Sequence, residues 1–166
     1  PGRTNGNFTE RLGYALTELV RKEKADLTID LHEARPMNPI VTCIITHERA
    51  RDLATMAALS LDSRGIPMRL EPSPKKLRGM SHRELGDHTH TLAVLMETGN
   101  PIQDKLHARA DEALILTGKD EFFAKAAARG LLYLPYLEKG LAMEERVGRH
   151  VDSVGELISV FSELHP

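Results

Sequence analysis

A chain of 166 residues with 22 basic and 24 acidic side chains is long enough for one domain with a real core, and it lacks the basic excess that binds a nucleic-acid backbone. It has no Trp and few other aromatics, which leaves no platform for stacking bases. No apolar run reaches the roughly 20 residues that span a bilayer, and the single Cys43 excludes an internal disulfide and fits a reducing cytoplasm.

The chain opens on Pro1-Gly2-Arg3-Thr4-Asn5-Gly6-Asn7, a polar, Gly-rich loop. Such a start reads as a boundary inside a longer protein. No basic-then-apolar leader is read there, so a cytoplasmic location is expected. Thr9 is the expected N-cap of a helix over about 9–24, with Leu12, Leu16, Leu19 and Val20 at helical spacing. A strand over Leu27–Leu31 follows, then a loop over 33–39 stopped by Pro36 and Pro39. Ile40–Thr46 reads as a second strand, with Cys43 as a buried structural thiol. Glu48–Ser63 reads as a helix with Leu53, Met56, Ala57 and Leu61 on one face, closed by Gly65.

Ile66–Glu71 is a short predicted strand, and 72–80 an exposed basic loop. Ser81-His82-Arg83-Glu84 has the form of a capping box opening one short helical turn. Thr91–Glu97 is the most apolar strand. A helical region is expected over about 101–129, broken near Thr117-Gly118. A final helix over about 141–164 is expected, with Val147, Val151, Val154, Ile158 and Phe161 in one stripe. Strands alternating with helices predict right-handed crossovers. Strands that are apolar nearly throughout predict helices on both faces. The expectation is a single α/β domain over 1–166, a three-layer α/β/α sandwich around a mostly parallel mixed sheet.

The chemistry concentrates at two strand ends. Asp30-Leu31-His32 would deliver an imidazole to the carboxyl edge of the sheet, where open α/β sheets bind ligands. Met96-Glu97-Thr98-Gly99 would deliver a carboxylate in the same way. A His and a Glu so placed point to a metal-assisted hydrolase. The plainer alternative is a His closing a strand onto a loop and a Glu facing water or a lysine. Asp30 is read on the opposite face from His32, with a structural role as good as an orienting one. Glu33 is read as a solvated loop residue.

Arg35 is a candidate for a substrate carboxylate, which a guanidinium forks with two hydrogen bonds. Lys75, Lys76 and Arg78 read as a solvated loop that would at most steer an acidic substrate. His88 and His90 form a His-x-His that would chelate a metal if it lay on a strand. His47, His82, His107, His150 and His165 are expected to face solvent.

Pro1-Gly2-Arg3, Thr9-Glu10-Arg11 at the start of the first helix, Asp30-Leu31-His32 and Met96-Glu97-Thr98-Gly99 together resemble the zinc carboxypeptidase superfamily. Within it they are most similar to the succinylglutamate desuccinylase/aspartoacylase-like branch. The resemblance covers most of this chain but only the later part of that family's catalytic domain. It implies zinc as cofactor, His32 as one zinc ligand, Glu97 as general base, and an arginine close behind the metal His, here Arg35. The intervening Glu33-Ala34 departs from the branch's usual pattern.

In that family two more ligands come from an upstream His-x-x-Glu, and an Asn-Arg pair holds the substrate carboxylate; this sequence has neither. The resemblance therefore implies a complementary N-terminal segment or chain carrying the other ligands. It implies hydrolysis of an amide bond in a small N-acyl amino acid or short peptide. The chain alone would bind zinc weakly and turn over nothing, because a catalytic zinc takes three protein ligands. Nickel, cobalt or iron would fit such donors as well. The alternative is a catalytically inactive relative that binds a carboxylated ligand or a partner subunit.

Overall fold

The computed structural model describes residues 2–34, 38–99, 121–134 and 142–166. The first helix, α1, spans Phe8–Glu23. Its cap is Asn7 rather than Thr9. Asn7 Oδ1 accepts from the Glu10 N–H at 3.0 Å, and Glu10 Oε2 accepts from the Asn7 N–H at 2.9 Å. This reciprocal pair satisfies two of the free donors at the helix start. Strand β1 covers Leu27–Ala34 and β2 covers Cys43–Thr46. The second strand is shorter than expected because Thr42 has φ +52°. A β-branched residue in the left-handed region breaks the extended backbone, so the ladder starts one residue later.

A 3₁₀ turn, Glu48–Ala50, leads into α2, Arg51–Ser63. Gly65, with φ +77°, ends it, and the Ile66 N–H returns to the Leu61 carbonyl at 2.9 Å. Strand β3 is confined to Arg69–Pro72, since Pro67 can donate nothing to a ladder. Helix α3 runs Ser81–His88 and strand β4 Leu92–Gly99. Residues 121–128 form α4, and α5 spans Met143–Leu164. Residues 101–120 of the predicted helical region, including its break, lie outside the described residues.

The sheet order is β1-β4-β2-β3. The pairs β1–β4 and β2–β3 are parallel, while β2 runs antiparallel to β4. The protein is thus a mixed α/β structure around a mixed sheet of four strands among the described residues. Side chains alternate across each strand. Leu27, Ile29, Ile44, Val94 and Met96 join Leu53, Ala54, Ala57 and Leu61 of α2 and Leu157 and Val160 of α5 in the main core. Burying a side chain of the size of Leu53 or Leu157 contributes about 1.5–3 kcal/mol. The alternate residues Cys43, Ile45 and Leu95 pack with Met80 in a second cluster. By the same alternation Asp30, His32 and Glu97 belong to this second face.

Two expected faces differ in the structure. On α2, Met56 is exposed, and Ala54 and Ala58 complete the buried face instead. On α5 the buried positions are Ser153, Leu157 and Val160. Val147, Val151 and Ile158 of the expected stripe are exposed. The buried line sits one residue earlier, which is about 100° around the helix. Apolar residue type alone does not say which of two neighbouring stripes meets the sheet.

Candidate active site

The parallel register of β1 and β4 places His32 directly beside Glu97 at the carboxyl ends of both strands. Their side chains meet, with His32 Nδ1 3.5 Å from Glu97 Oε1. The Glu97 side chain is only 12% exposed and that of His32 38%. Asp30 does not face away from His32. It precedes His32 by two residues, so both lie on one face of β1, and Asp30 Oδ2 is 3.1 Å from His32 Nε2. Ser81, on the first turn of α3, donates its hydroxyl to the same Asp30 oxygen. The capping role expected of Ser81 is therefore absent. Glu84 Oε1 instead accepts from the Gly79 N–H at 3.0 Å and closes that turn.

Donors about 2.1 Å from a tetrahedral ion lie roughly 3.4 Å apart. The 3.5 Å spacing of Nδ1 and Oε1 is short enough for a cation held by His32 to lie beside the Glu97 carboxylate. Among the described residues, no group of three donors within reach of one ion includes His32. Arg35 lies outside the described residues, as does His107. Cys43 pairs with Glu97 across the β2–β4 ladder and is fully buried. Desolvation pushes its thiol up to about 12, so it is neither a nucleophile nor a ready metal ligand.

Glu33 is a strand residue gripped by Arg146 Nη1 at 2.7 and 2.9 Å, not a solvated loop residue. His150 is half-buried, and its Nε2 lies 2.9 Å from Thr98 Oγ1.

A second cluster, unforeseen from sequence, joins the 3₁₀ turn to α3. His47 is 4% exposed and His82 1%, so neither faces solvent. His47 Nδ1 accepts from the Arg49 N–H at 3.2 Å, and its Nε2 lies 3.1 Å from Asp87 Oδ1. His47, Glu48 and Asp87 offer donor atoms within 4.8 Å of one another. A cation already holds the two carboxylates. The fully buried Arg83 donates to Glu48 Oε2 at 2.6 Å and Asp87 Oδ1 at 3.1 Å, and Arg78 donates to Asp87 Oδ2 at 2.6 Å. Arg78 is thus engaged rather than steering ligands. Arg49 donates to the carbonyls of Gly86, Thr89 and Thr91, where a helix end leaves acceptors unpaired. The His88/His90 pair is not on a strand. His88 ends α3 beside Glu84 and Arg78, and His90 turns toward Asp26.

This cluster makes the fold acid-sensitive. The Arg83 hydrogen bond lowers Glu48 from 4.5 to about 2, and the His47 hydrogen bond lowers Asp87 from 3.8 to about 2. Burial lowers His82 from 6.5 to about 4. A depressed histidine stabilises the fold while both states are neutral. That contribution is lost as pH falls from 6.5 toward 4, because the unfolded chain takes up the proton first. The depressed carboxylates add a second loss as pH falls from about 4.5 toward 2. Thermal midpoints measured across this range are expected to fall with acid in two stages. His82 Nε2 lies 2.9 Å from Ser73 Oγ, and His82→Gln, which keeps a partner for that hydroxyl, is expected to flatten the first. An unchanged slope would mean that His82 is not the group responsible.

No family model, curated protein or solved structure matches the chain. Among the described residues, no helix is long and apolar enough to cross a membrane. The fold and site define a mixed α/β protein with a His–Glu pair at the carboxyl ends of two parallel strands.

Proposed function

We propose that this chain serves the zinc-dependent hydrolysis of an amide bond in a small N-acyl amino acid or short peptide. Its frame would be a three-layer sandwich of the zinc-carboxypeptidase kind, working in the cytoplasm. The observation that carries the reading is the approach of His32 Nδ1 to Glu97 Oε1 at the sheet edge where such folds bind ligands. His32 is a zinc ligand. Zinc, when bound, polarises a carbonyl and acidifies water. Glu97, in its largely dry position, takes a proton from the attacking water and returns it to the leaving nitrogen. Arg35, next in the chain after β1, takes the substrate carboxylate. The remaining metal donors come from outside the described residues, whether elsewhere in the chain or on a complementary segment or subunit.

Elemental analysis of the protein from its native source is expected to find about one zinc per molecule. His32→Ala is expected to lose it. Glu97→Gln is expected to keep the metal and lower kcat by about 10²- to 10⁴-fold. A native protein without metal, or a fully active Glu97→Gln variant, would remove this reading.

A second reading is an inactive relative that binds a carboxylated ligand or a partner subunit. The apolar face of α1 favours it, since Phe8 is 72% exposed, Leu12 and Leu16 46% and Leu19 53%. So does Leu31 of β1, the edge strand among the described residues, 49% exposed. Sheet edges and apolar faces of this kind invite association.

A further inference from the structure

We infer that Ser81 and Asp30 are positioning residues that hold the His32 ring in its Nε2–H tautomer and keep Nδ1 turned toward Glu97. The inference takes its catalytic meaning from the reading above, although the tautomer is a property of the metal-free chain. A neutral imidazole has one N–H and one bare nitrogen. Two carboxylates compete for that N–H. Asp30 Oδ2 lies 3.1 Å from Nε2 and Glu97 Oε1 lies 3.5 Å from Nδ1. The shorter contact is within ordinary N–H···O range and the longer is past it. The proton therefore sits on Nε2, and Nδ1 offers its lone pair on the Glu97 side.

Asp30 alone would not secure this. Its side chain is 34% exposed and would be free to choose other rotamers. Ser81 supplies the second anchor by donating to the same Oδ2. It is free to do so because Glu84, not Ser81, closes the turn before α3. Helix α3 is itself held, since Arg83 ties it to Glu48 of the 3₁₀ turn. The orientation of His32 is thus set from a different element than its own strand. A carboxylate on the far nitrogen of a ligating histidine fixes its tautomer and raises its basicity.

The test reads the tautomer directly on the full chain without metal. Long-range proton–nitrogen correlation would be recorded well above the ordinary histidine pKa, where the ring is neutral. Wild type is expected to show His32 protonated at Nε2 and bare at Nδ1. Ser81→Ala and Asp30→Ala are expected to raise the Nδ1–H share, and Ser81→Thr, which keeps the hydroxyl, to restore the wild-type pattern. A wild type protonated at Nδ1, or alanine variants indistinguishable from wild type, would overturn the inference. If Ser81→Ala fails to fold, the wild-type tautomer and Asp30→Ala decide.

Titration with cobalt(II) of the protein from its native source, and of the same substitutions made in it with any complementary segment or subunit present, separates the two readings. Ser81→Ala is expected to bind it about 10- to 100-fold more weakly than wild type. A wild type that takes no cobalt but shows the Nε2–H form removes the metal reading and leaves the positioning role standing. A wild type that binds cobalt with Nδ1–H dominant before loading does the reverse.

Discussion

Arg83→Leu is expected to lower the unfolding free energy by about 3 kcal/mol, visible as a reduced urea midpoint at neutral pH. Arg83 is fully buried and donates to Glu48, Asp87 and the Ser73 carbonyl. Breaking a buried charge pair costs about 3–5 kcal/mol because the partner is left unpaired. Here the abandoned carboxylates are 39% and 30% exposed, so water takes over part of their solvation and the lower end applies. Asp87 also keeps Arg78 and His47. A loss under about 1 kcal/mol, the worth of an exposed pair, would show that the guanidinium is solvated and does not tie α3 down. Combining Arg83→Leu with Glu48→Gln is expected to cost less than the sum of the single changes, since both remove one interaction.

The second large effect is Gly86→Ala. A Cβ at Gly86 would stand 2.3 Å from His47 Cδ2 and 2.5 Å from Cγ. The His47 ring cannot swing away freely. It is 4% exposed and fixed at both nitrogens, by the Arg49 N–H and by Asp87. Overpacking costs about 1–3 kcal/mol, and displacing the ring would break its two hydrogen bonds as well. Alanine gains about 1 kcal/mol over glycine inside a helix, so the net loss is expected near 2 kcal/mol. Thermal unfolding measures it. Adding His47→Ala is expected to recover part of the loss by opening the space. A Gly86→Ala protein as stable as wild type would mean that the ring has room, and the close packing of α3 on the 3₁₀ turn would be wrong.

The elements were largely legible because they depend on local pattern. The alternation of Leu27, Ile29 and Leu31 and the apolar run through Leu95 name β1 and β4, and both are strands. Helical spacing finds α1, α2 and α5 within a few residues of their ends. Errors fall where a neighbour in space decides. Thr42 shortens β2 by its left-handed backbone, and α5 turns a different stripe to the core than apolar type alone selects. His47 and His82 look like surface residues in sequence, surrounded by Glu48, Arg49, Arg83 and Glu84. They are buried because Arg83 pairs with Glu48 and Asp87 around them, while Arg49 turns to backbone carbonyls and Glu84 to Arg78. The one signal that was available is the density of opposite charges over 82–87, which fits mutual pairing as well as solvation.

The candidate site divides in the same way. His32 and Glu97 stand out in sequence because each ends an apolar strand with a polar group, a pattern set by side-chain alternation alone. By itself the sequence determined that these two strands exist and that each carries one reactive side chain to its end. That they meet was decided by the parallel register of β1 and β4, which pairs residue 32 with residue 97. The same tertiary placement of α3 decided that Ser81 bonds Asp30 instead of capping its helix. Local sequence limits which backbone conformations are cheap. The partners of a hydroxyl, a carboxylate or an imidazole depend on which element the folded chain brings within about 3 Å of it.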